Sequence, residues 1–128
     1  MIVVDSSGWL EFLTDGPLSE EYAKRLRQPS AVVTPTIILY EVYKHAKRLR
    51  GEEGGIEAVA AMQKTVVVPL DDDLALVAAD LSIEHKLPMA DAIILATARA
   101  FDAEVITSDA DFEHVPGVTY LSKPKGAE

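Results

Sequence analysis

The sequence predicts an α/β fold, a single domain over residues 1–128 built on a central, mostly parallel sheet of four to five short strands with helices on both faces. Short apolar, β-branched runs recur along the chain, at residues 2–4, 31–33, 66–68, 104–106 and 118–121. Segments with apolar residues at helical spacing separate them, and that alternation implies parallel strands joined by crossover helices. A chain of 128 residues that is 48% hydrophobic also fits one continuous core better than two.

Residues 2–4 (Ile-Val-Val) are too short and too β-branched for a helix and predict the first strand. Asp5, Ser6 and Ser7 then supply helix-capping chemistry for a short helix over residues 8–13. After a loop at residues 14–17, Ser19 caps a helix to about residue 27, with Tyr22, Ala23 and Leu26 on its inner face. Residues 31–33 predict the second strand, and Thr34 as cap with Pro35 in the first helical position starts a helix that Gly51 stops. A brief helix over residues 56–63 leads to the third strand at 66–68, closed by Pro69. Residues 71–85 carry Leu74, Val77, Ala78 and Leu81 at helical spacing, and Pro88 separates this helix from the most apolar one, at about 89–101. Strands at 104–106 and 118–121 follow, and residues 121–128 form a polar tail.

Composition removes several chemistries. Without cysteine there are no disulfides, thiolate nucleophiles, iron–sulfur clusters or zinc–thiolate sites, and three scattered histidines make a poor zinc site. No apolar run approaches the roughly 20 residues of a membrane span, and the start of the chain lacks the basic lead of a signal peptide. A soluble, cytoplasmic protein is the expectation. The net charge of −9 argues against a broad electrostatic nucleic-acid binder but leaves a nuclease open, because a carboxylate-lined metal site itself supplies much of that excess.

Four acids stand where an acid is a poor structural choice. Asp5 ends the first strand, Glu41 interrupts Ile37-Ile38-Leu39-Tyr40, Asp91 lies within the most apolar helix, and Asp109 follows Val105-Ile106-Thr107-Ser108. A carboxylate beside buried apolar positions costs several kcal/mol unless its charge is offset. Each has a local explanation: Asp5 as a helix cap, Asp91 in a helix dipole, Glu41 paired with Lys44 or His45, Asp109 as a turn residue. One shared divalent cation explains all four. Ligands in parallel sheets bind beyond the carboxyl ends of the strands, where Asp5 and Asp109 stand, and oxygen-only donors select Mg²⁺ or Mn²⁺. Such a site supports phosphodiester hydrolysis. Asp111 can join it, Ser6 and Thr107 can hold a carboxylate or a water, and Lys44, Lys47, Arg48 and Arg50 are the candidates for RNA contact. Trp9, Phe12 and Tyr40 are aromatic residues that can stack on bases or pack in the core.

The ordered set of segments around Asp5 (residues 2–7), Glu41 (36–42), Asp91 (87–98) and Asp109 (105–112) resembles the PIN-domain nucleases, and within them the VapC-type toxins of toxin-antitoxin systems. The resemblance implies a Mg²⁺- or Mn²⁺-dependent endoribonuclease with Asp5, Glu41, Asp91 and Asp109 as its catalytic and metal-holding quartet. It further implies a homodimer, for which an apolar surface around Tyr22, Leu26 or Tyr43 is available, and a small antitoxin partner whose C-terminal segment lies across the site. The alternatives are a PIN-fold RNA-processing nuclease outside such systems, or one acting on DNA, and a PIN-fold RNA-binding module that does not cut. A haloacid-dehalogenase-like phosphatase needs a second aspartate where this chain has Ser7, and is set aside.

Overall fold

Every strand pairing among residues 1–124, which the computed structural model describes, is parallel. The elements run β1 (Ile2–Val4), α1 (Ser6–Leu13), α2 (Ser19–Arg25), β2 (Val33–Pro35), α3 (Thr36–Met62), β3 (Val66–Val68), α4 (Asp72–His85), α5 (Met89–Ala100), β4 (Glu104–Thr107) and β5 (Val118–Tyr120). β4 lies between β1 and β5, with Val4 opposite Ile106 and Ile106 opposite Thr119. β2 pairs with β3 from Val33–Val66 to Pro35–Val68, and a single parallel bridge between Ile2 and Val32 ties this pair to β1.

Successive strand residues point to opposite faces, so the burial of Val3 and Val4, and of Val105, Ile106 and Thr107, means that both faces of the sheet are covered. α5 provides much of that cover. It is buried at every position from 91 to 98 and packs against β1, β2, β4 and α4. A helix apolar on all sides is stable only inside a core. An acid placed in it is held far from bulk water.

Local chemistry shifts several boundaries from those the sequence predicts. Ser19 is the first residue of α2 and not its cap; Leu18 occupies the cap position without a side-chain bond, and the helix ends at Arg25. The second strand starts two residues late because Pro29 opens a 3-10 turn at Pro29–Ala31. Thr34 is therefore a strand residue bonding the Thr65 hydroxyl at 2.6 Å, and Pro35 ends the strand, where its missing N–H costs little. Gly51 breaks α3 as expected, adopting φ 71° and ψ −162°, but the chain re-enters the helix at once and continues to Met62. The polar tail expected over 121–128 lies in part outside the described residues.

Tyr22 is fully buried, which removes it from any surface for a second copy. Its ring lies against α1 at Gly8. A β-carbon there would stand 2.3 Å from Tyr22 Cε1 and 2.7 Å from Val4 Cγ1. Neither neighbour has room to retreat. Gly8→Ala is expected to destabilise the protein by about 1–3 kcal/mol, read from its urea-unfolding midpoint; an unchanged midpoint would show that α1 and α2 are less tightly apposed than described.

Candidate metal centre

The site begins with the register of β1 on β4. The Asp5 amide donates to the Ile106 carbonyl at 3.1 Å, which sets Asp5 beside Thr107 at the carboxyl ends of both strands. Asp5 is 2% exposed, and its carboxylate is satisfied locally. Oδ1 accepts from the Ser7 amide and the Ser7 hydroxyl, both at 2.6 Å, and Oδ2 accepts from the Thr107 hydroxyl at 2.6 Å. The capping role and the convergence on other acids thus coexist in one residue.

The same hydroxyls position the loop after β4. Thr107 Oγ1 accepts from the Asp109 amide at 2.8 Å, and Ser7 Oγ accepts from the Ser108 amide at 3.1 Å. The Ser108 hydroxyl bonds the buried Tyr22 hydroxyl at 2.7 Å. Asp109 Oδ1 in turn accepts from the Asp111 amide at 2.9 Å, opening the 3-10 turn Ala110–Phe112, which Phe112 anchors in the core. Ser7, Ser108 and Tyr22 are not among the site residues that the sequence points to. Ser7 carried a readable signal, since a hydroxyl two residues after a helix-capping aspartate is well placed to bond it.

Asp91 enters from the first turn of α5, directly after Pro88. One carboxylate oxygen each from Asp91, Asp109 and Asp111 lie within 4.8 Å of one another, with Asp91 buried, Asp109 half-buried and Asp111 exposed. The group therefore opens to solvent on one side. Glu41 projects from α3, half-buried; Ser6 faces its carboxylate, and it lies within electrostatic range of Asp5 and Asp109. The described structure brings Asp5, Glu41, Asp91, Asp109 and Asp111 to one end of the sheet, with Asp91, Asp109 and Asp111 as its tightest group.

Burial raises the Asp5 carboxyl above its ordinary value; bonds from Ser7 and Thr107 pull it back, and Asp109 pushes it up again. Glu41 is raised first by burial, less the effect of Ser6, with Asp5 and Asp109 adding repulsion. Asp91 is raised from 3.8 to about 7, through burial and then through Asp109, Asp5, Asp111 and Glu41. Like charges gathered in a partly desolvated place disfavour ionisation, and a cation among them reverses that preference. The donors are all oxygen, and the three-carboxylate group suits a hard divalent ion that keeps some of its water.

The basic residues of α3 divide into two groups. Lys47 pairs with Glu52 at 2.5 Å and Arg50 with Glu57 at 3.4 Å, across the break at Gly51. Lys44 and Arg48 make no ion pair among the described residues, and both are exposed. Trp9 is a core residue, packed edge-on to Phe12 at a centroid separation of 6.4 Å.

A parallel α/β sheet whose carboxyl edge gathers five acids, three of them close enough to hold one metal ion, defines a class of acidic-site α/β domain. Matches to known proteins narrow it. The PIN domain family matches residues 2–118, and the chain belongs to that family. No curated protein matches it in sequence. Among solved structures, a chain of a toxin-antitoxin complex from Klebsiella pneumoniae is 28% identical, with a TM-score of 0.80 over 97% of this chain and 100% of that one. VapC20 of Mycobacterium tuberculosis, described as a sarcin-ricin loop cleaving toxin, is 24% identical with a TM-score of 0.76 over 97% and 100%. FitAcB from Neisseria gonorrhoeae is 20% identical, with a TM-score of 0.72 over 94% and 97%.

The raised Asp91 pKa sets a pH dependence. Between pH 3.8 and about 7 the metal-free folded protein holds a proton on Asp91 that the unfolded chain has released. Its stability from this group is therefore full below pH 3.8 and declines as pH rises to about 7. The metal-free melting temperature of Asp91→Asn should exceed that of wild type at pH 8, with the gap closing towards pH 4. A gap independent of pH would contradict the titration assigned to Asp91. Separately, Thr107→Val leaves Asp5 Oδ2 and the Asp109 amide without their partner and should cost about 1–3 kcal/mol in chemical denaturation; no loss would remove Thr107 from the network.

Proposed function

We propose that the protein is an endoribonuclease that hydrolyses RNA phosphodiester bonds with Mg²⁺, or Mn²⁺ in its place, and acts in the cytoplasm as the toxin of a toxin-antitoxin pair. The observation that carries this reading is the convergence of Asp91, Asp109 and Asp111 within 4.8 Å on the carboxyl edge of a PIN-domain sheet. Asp91, Asp109 and Asp111 would hold the ion directly, with Asp5 and Glu41 completing the negative surround. A divalent ion in this position supplies Lewis-acid stabilisation of phosphate charge and eases deprotonation of the attacking water. Thr107, Ser6 and Ser7 keep the carboxylates oriented.

Lys44 and Arg48 are exposed on α3 beyond Glu41 and offer the phosphate backbone positive charge. Likeness to a chain of a toxin-antitoxin complex supports a small antitoxin as partner. A second copy would cover the apolar surface of α4 and α5, where the exposed Leu70 and Met89 border a groove of about 300 Å³. No helix among the described residues is long and apolar enough to cross a membrane.

Purified wild type, Asp5→Asn and Asp91→Asn, incubated with a mixed cellular RNA pool in Mg²⁺, Mn²⁺ or EDTA, test the reading. Cutting is expected from wild type with metal only. Asp91→Asn should lose more than the roughly 10- to 100-fold that removal of an outer partner of a metal ligand costs, and Asp5→Asn should show a loss of about that size. Cutting that persists in EDTA, or that both variants retain, would contradict the proposal.

A further inference from the structure

Tyr22 is fully buried, and its hydroxyl crosses from α2 to the Ser108 hydroxyl, 86 positions away in the chain. The ring that carries the hydroxyl cannot shift. A β-carbon at Gly8 would stand 2.7 Å from Tyr22 Cδ1, so the backbone of α1 presses directly on the ring. The helix beneath it is held as well. Glu11, a buried acid of α1 that the metal centre does not use, accepts from the Leu18 amide at 3.0 Å and so fixes the head of α2. A β-carbon at Gly16 would collide with the same carboxylate, and Lys123 pairs with it at 3.7 Å. Backbone contact, a buried acid and ring packing together set the place of one hydroxyl.

The receiving side is softer. Ser108 opens the loop on which Asp109 is half-buried and Asp111 exposed, so packing does little to hold either carboxylate. Hydrogen bonds hold the loop instead: the Ser108 amide donates to Ser7 Oγ at 3.1 Å and the Asp109 amide to Thr107 Oγ1 at 2.8 Å. Both of those acceptors belong to the shell around Asp5. The Tyr22–Ser108 bond enters from another helix, and its hydroxyl lies within electrostatic range of Asp5. A buried phenol takes a hydrogen-bond partner in any fold. Here the partner is the residue directly before Asp109, in the loop that brings two carboxylates to the metal centre.

We infer that Tyr22 is a positioning residue of the metal centre: through Ser108 its hydroxyl fixes the loop that presents Asp109 and Asp111, and so raises the affinity of the site for a divalent cation. The inference rests on the reading of Asp91, Asp109 and Asp111 as the residues that hold the ion. A rigid hydroxyl meeting an exposed loop restricts the carboxylates before the ion arrives, and ordering done in advance is not charged against binding. The α1–α2 pair thereby acts on the site without contributing a ligand from α2.

Mn²⁺ titration followed by the electron paramagnetic resonance signal of the free ion tests this on wild type, Tyr22→Phe, Ser108→Ala and the double variant, with the metal-free melting temperature of each recorded alongside. Tyr22→Phe keeps the ring that packs on Gly8 and removes only the hydroxyl; Ser108→Ala removes the other end of the bond without touching the core. Breaking one link of a coupled network corresponds to a change of roughly 2- to 30-fold in Kd. Each single variant should weaken Mn²⁺ binding by that factor, and the double variant should bind no more weakly than the weaker single one, because both remove the same contact. Wild-type affinity in Tyr22→Phe or in Ser108→Ala, with only the melting temperature lowered, would overturn the inference and leave the bond a structural one. Losses that multiply in the double variant would overturn it too, since the residues would then act separately. Wild type that binds no Mn²⁺ would overturn the metal reading and this inference with it, whereas full binding retained by Tyr22→Phe overturns this inference alone.

Discussion

The burial of Asp5 is the constraint on which the upper edge of the sheet depends. A carboxylate 2% exposed at the end of a strand is stable only if both its oxygens are hydrogen-bonded, and three donors from Ser7 and Thr107 meet that need. Those donors are shared. Thr107 also receives the Asp109 amide, and Ser7 receives the Ser108 amide, so satisfying Asp5 simultaneously fixes the loop that carries Asp109 and Asp111. The network reaches Tyr22, whose hydroxyl, held protonated by a pKa raised to about 12 through burial, meets Ser108 from the far side. Strand register, helix cap and loop geometry are one arrangement.

That arrangement spends stability to concentrate charge. Asp5, Glu41 and Asp91 all have carboxyl pKa values raised by burial, and in each case neighbouring acids raise them further. A fold selected for stability alone would place amides at such positions. The acids instead make an end of the sheet where a cation would relieve the repulsion among them, and α5 provides the low-polarity wall that strengthens it. The solvent-facing side, at Asp111, leaves room for water and for a phosphate.

The acids could be located from sequence because each contradicts its surroundings: a strand end, an apolar helix and a strand-following turn are recognisable locally. The parallel α/β architecture was legible for the same reason, through strand-length apolar runs separated by helical spacing. What could not be read is how strongly each acid engages the others. Asp111 belongs to the tightest group because a 3-10 turn, pinned by Phe112, brings it beside Asp91 and Asp109 at the solvent-facing side, whereas Asp5 is occupied by its own hydrogen bonds. The Tyr22–Ser108 contact joins residues 86 positions apart and leaves no local trace. The second strand was misplaced because Pro29 and Pro35 fit a helix start or a strand end equally well until tertiary pairing decides. The basic run on α3 read as uniform, but the break at Gly51 brings Glu52 and Glu57 onto Lys47 and Arg50 and leaves Lys44 and Arg48 as its unpaired members.

Direct location of the cation is the most immediate test of this account. Crystals grown with Mn²⁺ and measured at the manganese absorption edge should show an anomalous peak bounded by Asp91, Asp109 and Asp111, absent from crystals of the Asp91→Asn, Asp109→Asn double variant. A wild-type map with saturating Mn²⁺ and no peak among these carboxylates, or a peak that survives the double substitution, would contradict it.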